Sequence, residues 1–151
     1  MSIEGYLGIV TSNNNSAGKV VREKVPSMPA PFRSVTPHIV VKHSAAASGF
    51  YKKAFGAVGR FRIPSPNGKG LIHAEIMVGA PVIMLAEEMA DAGCHSPISL
   101  NGTPVSLMLE VEDADAAYEQ ALAAGAESVM TPQDMFWGDR FSQVSDPFGH
   151  R

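Results

Sequence analysis

A strand running directly into an amphipathic helix occurs twice in this chain, and that repetition constrains the fold more than any other feature. Residues 105–126 read VSLMLEVEDADAAYEQALAAGA, and residues 35–57 read VTPHIVVKHSAAASGFYKKAFGA. With one residue of slack in the strand-to-helix turn, Val41 aligns with Val111 and Gly56 with Gly125. Side chains alternate faces along a strand, so Leu107, Leu109 and Val111 point one way and Ser106, Met108 and Glu110 the other. In the earlier copy Pro37, Ile39 and Val41 take the core face. Thr36, His38 and Val40 then share the face of Ser106, Met108 and Glu110, and chemistry is expected on those two faces.

The elements around each copy follow from local signals. Ser44 is a good N-cap, and Ala47, Phe50, Tyr51, Ala54 and Phe55 form an apolar stripe that Gly56 ends. Three strands are expected next, at residues 58–63, 71–78 and 81–86, separated by SPNGKG and Gly79-Ala80. Residues 87–103 are too polar and punctuated for a strand and join the two copies. The second copy gives a strand at 105–111, a helix after Asp113 docked through Ala117, Ala121 and Leu122, and short strands near 128–131 and 140–145. Residues 1–34 have no sustained period and read as an N-terminal arm, with strand character only at residues 6–11, YLGIVT.

Forty-five per cent hydrophobic and 18% charged residues suit a globular chain of 151 residues. A net charge of −3 gives no broad basic field, so neither nucleic acid nor an anionic membrane is an expected partner. No apolar run approaches the roughly 20 residues of a membrane span, and no secretory signal is evident, so a cytoplasmic location is expected. The one cysteine, Cys94, agrees with a reducing compartment. Its neighbour His95 invites a nucleophile reading, but adjacent side chains rarely face each other, and Cys94 reads as an ordinary surface cysteine.

The motifs TPHIVV with FYKKAFGA, IHAEIMVG with IMLAEE, and FWGDR ahead of DPFGH resemble the vicinal oxygen chelate superfamily. This is the glyoxalase, bleomycin-resistance and extradiol-dioxygenase group, and its PhnB-like branch matches best. The resemblance spans residues 35–151. It implies an α+β fold in which paired βαβββ modules, about 35–87 and 104–151, form a curved mixed sheet around a cleft. A half sheet with one helix has a face to bury, and a second copy of itself is the available partner. The resemblance also implies a homodimer and an eighth strand just after Gly149; the sequence ends two residues later, so either it is clipped or that strand is missing.

Metal-dependent members hold a divalent ion at places that fall here near Thr36, Met84, Ser106 and a position beyond Arg151. Threonine, methionine and serine are poor ligands for such ions. No cofactor is therefore expected, and the chain reads as a metal-free, sequestering protein for a small apolar or aromatic molecule. Expected ligand contacts are Thr36, His38, Met84, Ser106, Met108, Phe136, Trp137 and Arg140. Six of the eight methionines lie between the third strand and the Trp137 loop, where they suit an adaptable apolar pocket. The alternative is a lyase, isomerase or dioxygenase-type metalloenzyme with a divergent site. Its catalytic or metal residues would be His38, His73, Glu75 and Glu110, which all oppose apolar neighbours along their strands. Asp146 to Gly149 reads as a turn, with Gly149 at positive φ.

Overall fold

A computed structural model describes residues 35–68 and 70–151; the strand expected at residues 6–11 lies outside them. The first module forms β1 (His38–Val41), α1 (Ser44–Phe55), β2 (Val58–Pro64), β3 (Leu71–Met77) and β4 (Val82–Glu87). The strands make one mixed sheet in the order β1-β4-β3-β2. β4 runs parallel to β1 and antiparallel to β3, because the crossover through α1 carries the chain to β2 at the opposite edge of the sheet and two antiparallel turns bring β4 back beside β1. The α+β architecture is that expected of a βαβββ module.

The core lies between this sheet and α1. Val41, Ala74, Ile76 and Leu85 are fully or almost fully enclosed, and Ala47, Phe50, Tyr51 and Ala54 face them from the helix. Helix α3 (Ala114–Ala124) joins this core through Ala121, and its Gln120 side chain donates to Lys53 O at 2.9 Å, near the end of α1. Tyr118, which the sequence reading left out of the docked stripe, is more deeply buried than Leu122 and donates to Ser128 Oγ at 2.7 Å.

The start of α1 differs from expectation. Ser44 is the first helical residue, and His43, in left-handed conformation, occupies the cap position without a side-chain bond. Glu87 does the capping from β4: it accepts from His43 N–H at 2.7 Å and Ser44 N–H at 2.8 Å. A carboxylate at a helix N-terminus satisfies orphan donors and meets the positive end of the dipole. Burial pushes Glu87 up, but the Ser44 hydroxyl and the two N–H groups outweigh it and hold the acid below its ordinary value.

The second module forms α3, β5 (Glu127–Asp134) and β6 (Arg140–Ser145), the last two an antiparallel pair. β5 outruns the expected 128–131 segment through Pro132, and the pairing shifts register between Met130 and Gln133. Proline removes a ladder donor, and an irregularity absorbs that loss. Residues 105–111, expected as a strand, form no ladder among the described residues. Their one backbone bond to another element is Leu107 N–H to Arg151 O at 2.7 Å. Without a paired neighbour the expected core face is only partly covered: Leu107 packs against the core, while Leu109 and Val111 stay 37% and 47% exposed.

Between the modules, residues 87–103 carry a 3-10 turn, Ala90–Ala92, and a short helix α2 (Pro97–Leu100). Glu88 organises this segment. It accepts from Ser96 N–H at 2.9 Å and lies 3.4 Å from the Lys42 ammonium. Hydrogen bonds from Ser99 and Ser96, with Lys42 nearby, hold its carboxyl down to about 2.

Candidate functional site: a cavity beside residues 105–111 and a histidine face on the first sheet

A cavity of about 700 Å³ lies between residues 106–112 and β6, walled also by α1 and α3. Its apolar surface comes from Leu107, Met108, Tyr118, Trp137 and Phe141, and Ser106, Glu110 and Gln143 supply polar groups. Trp137 sits in the turn between β5 and β6, edge-on to Phe141 with ring centroids 6.1 Å apart. Half its surface is open, which is the condition for a flat ligand to stack on it.

The expected ligand contacts divide between places. Ser106, Met108, Trp137 and Arg140 line the cavity, whereas Thr36, His38, Met84 and Phe136 do not. Phe136 packs edge-on against Trp137 at 4.9 Å but is itself 97% exposed. Arg140 is already engaged: Nε and Nη2 donate to the two oxygens of Asp115 at 2.6 and 2.7 Å, and Nη1 donates to Asp134 at 3.2 Å. A guanidinium forked onto one carboxylate and touching another ties α3 to the β5–β6 hairpin.

His38 and Met84 belong to the open face of the first sheet. Cross-strand pairs His38–Met84, Met84–Glu75 and Glu75–Phe61 align these side chains across four strands, and His73 and Ala86 follow on the same face. His38 and His73 meet edge to face with centroids 5.6 Å apart. His73 Nε2 and Arg60 Nε each lie 3.9 Å from a Glu75 oxygen. Partial burial, then the neighbouring His73, lowers the pKa of His38.

Metal chemistry requires several donors around a common centre at roughly 2.0–2.6 Å. Among the described residues no three His, Cys, Asp or Glu side chains are grouped to do this. Glu110, the fourth residue of the divergent set, lines the large cavity rather than the histidine face. The described residues therefore bring together no ligand set for a divalent ion.

One polar network escaped sequence reasoning. Asp146 is buried; it accepts the Tyr51 hydroxyl on Oδ2 and the N–H groups of Phe148 and His150 on Oδ1 at 2.9 and 2.8 Å. His150, equally buried, has Nδ1 3.3 Å from Asp146 Oδ2 but without hydrogen-bond alignment. The DPFG turn was legible; its link to Tyr51, 95 residues away, carries no local signal.

Comparison with known proteins agrees with this architecture. Uncharacterized protein Mb0911c of Mycobacterium bovis is 45% identical over 120 residues, covering 78% of each chain. Uncharacterized protein Rv0887c of Mycobacterium tuberculosis is also 45% identical over 120 residues, covering 78% of this chain and 70% of the relative. The crystal structure of the Arabidopsis thaliana gene product At5g48480 matches with a TM-score of 0.63 at 25% identity, over 80% of this chain and 95% of that one. TioX from Micromonospora sp. ML1 matches in fold with a TM-score of 0.59 at 24% identity, over 78% and 90%. A sequence profile matches residues 33–151, and the chain belongs to the glyoxalase/bleomycin resistance protein/dioxygenase superfamily.

Proposed function

We propose that this chain is a small-molecule-binding member of its superfamily, in the PhnB-like branch, that takes an apolar or aromatic ligand without a metal ion. The observation that carries this reading is the cavity of about 700 Å³ with Trp137 and Met108 on its wall. Cavities of this size, mostly apolar with few polar groups, are what drug-sized ligands occupy. A cytoplasmic location goes with this reading, and no described helix is long and apolar enough to cross a membrane.

Trp137 is the chain's one tryptophan, so its emission reports directly on the cavity. Titration with a planar two-ring aromatic such as quinoline should give a saturable change. Trp137→Ala, followed by calorimetry, should weaken binding by roughly 1 to 3 kcal/mol, and His73→Ala by much less. Protein purified without chelator should carry less than about one equivalent of transition metal. Stoichiometric zinc, nickel or iron that is lost on His38→Ala or His73→Ala would reverse the reading in favour of a metalloenzyme.

A homodimer belongs to the same proposal. β2 is an edge strand with Val58 65% exposed, and Met108 and Phe136 are 75% and 97% exposed. Open strand edges and exposed apolar side chains are the features that self-association covers. Light scattering across a micromolar dilution series should return twice the chain mass; a folded monomer throughout would remove the idea.

A further inference from the structure

The wall of the cavity carries unbalanced charge. Four carboxylates line it, Glu110, Glu112, Asp139 and Asp146, against two guanidiniums, Arg140 and Arg151. Two of these groups are spent within the fold. Arg140 is forked onto Asp115 and touches Asp134, neither of which lines the cavity, and Asp146 is enclosed and serves Tyr51, Phe148 and His150. Glu110, Glu112 and Asp139 are exposed, and among the described residues none of their carboxylates accepts a hydrogen bond or stands in an ion pair. That leaves three unengaged acids on the wall, with Arg151 as the opposing charge.

The three come from two sides of the cavity. Glu110 and Glu112 belong to the 106–112 wall that also brings Met108, while Asp139 stands two residues beyond Trp137 in the turn that leads into β6. Gly138 N–H donates to Met135 O and Met135 N–H donates to Asp139 O, both at 2.9 Å, so one closed turn holds Trp137 and Asp139 together. A cleft lined by one sign of charge, with low-dielectric walls, focuses its field on whatever enters: it attracts a cation and repels an anion. Trp137, half of whose surface is open, attracts the same sign, because a cation over an indole face meets the negative side of its quadrupole. Two unrelated interactions thus select one charge. Among the described residues these acids are not grouped to hold a metal ion, so the cation they suit is an organic one.

We propose, on the reading that this cavity is the ligand site, that it takes a planar aromatic cation, with the ring on Trp137 and Met108 and the positive charge toward Glu110, Glu112 and Asp139. The cavity and the open indole mark the place; the carboxylates decide the sign of the charge.

Calorimetry with 1-methylquinolinium, quinoline and quinoline-2-carboxylate compares a permanent cation, a neutral molecule and an anion on one two-ring frame. The cation should bind about tenfold tighter than quinoline, and the anion should bind weakest. Raising sodium chloride from about 50 to about 500 mM should narrow the gap, since exposed charges are screened as the Debye length shortens. Glu110→Gln, Glu112→Gln and Asp139→Asn together should cost the cation at least about fivefold more than they cost quinoline. Glu119→Gln removes the same kind of charge from an exposed position of α3 outside the cavity and should leave the gap open. Three results would each overturn the proposal while the ligand site itself stood: quinoline binding as tightly as the cation, the anion binding tightest, or Glu119→Gln closing the gap as far as the triple change does. If none of the three ligands binds, the small-molecule reading falls and takes this one with it.

Discussion

Asp146→Ala should destabilise the chain by about 3 to 5 kcal/mol, enough to move the thermal midpoint down by some 10 °C or more in a domain of this size. The carboxylate serves three donors at once, the Tyr51 hydroxyl and the N–H groups of Phe148 and His150, and all of them lie in a buried setting. Removing the shared acceptor leaves each donor dehydrated and unpaired, which costs about 1 to 3 kcal/mol per group. Asp146→Asn keeps an oxygen for the two backbone groups and should cost less. Combining either change with Tyr51→Phe in a double-mutant cycle isolates the bond that joins α1 to the terminal turn. Additive losses would show that Tyr51 and Asp146 are neighbours without being partners.

The same network sets a pH dependence. Burial pushes Asp146 up, but the His150 ring, the Tyr51 hydroxyl and the His150 N–H outweigh it, so the folded pKa lies below the unfolded one. Its contribution is therefore complete above the unfolded value of about 3.9 and is lost as the pH falls through the folded value. Glu87 shifts in the same direction at the head of α1, so acid weakens both anchors together. Urea titrations from pH 6 downward should show wild-type stability falling below about pH 4, and Asp146→Asn should flatten that fall. Tyr51 is raised, by burial first and then by Asp146, so the bond it makes survives until well above the ordinary tyrosine range.

Periodicity carried the first module. Ile39 and Val41 proved buried where alternation placed them, because that strand has a ladder on one side and a helix over one face. The same alternation predicted Leu109 and Val111 as core, and they are not: a strand's buried face depends on its neighbours, which a local pattern does not contain. Ser44 had the right chemistry for a cap, but the cap came from Glu87, 43 residues on, because a carboxylate satisfies several donors where a hydroxyl satisfies one. The site shows the same division. Trp137 and Met108 were legible as apolar surface and do line the cavity, and strand register put His38, His73 and Glu75 on one face. Two things follow only from tertiary placement: the separation of Glu110 from that face and the engagement of Arg140 by Asp115.

Gly149→Ala should be the other severe substitution, at about 2 to 4 kcal/mol, and it reports on how the inter-module segment is held. Gly149 has φ 88°, where an L side chain costs roughly 1 to 2 kcal/mol. A Cβ there would also lie 2.9 Å from Pro97 Cβ and 3.4 Å from the Ile98 nitrogen. Neither atom is the end of a flexible chain, so α2 or the terminal turn must shift, and overpacking of this kind costs about 1 to 3 kcal/mol. Gly138, with φ 103° and nothing within 4 Å of its would-be Cβ, provides the control. Gly138→Ala carries the backbone strain without the collision and should cost about 1 to 2 kcal/mol. Chemical denaturation of the two variants side by side measures the difference, which is the contact of α2 with the terminal turn. If the two losses are equal, α2 does not bear on that turn.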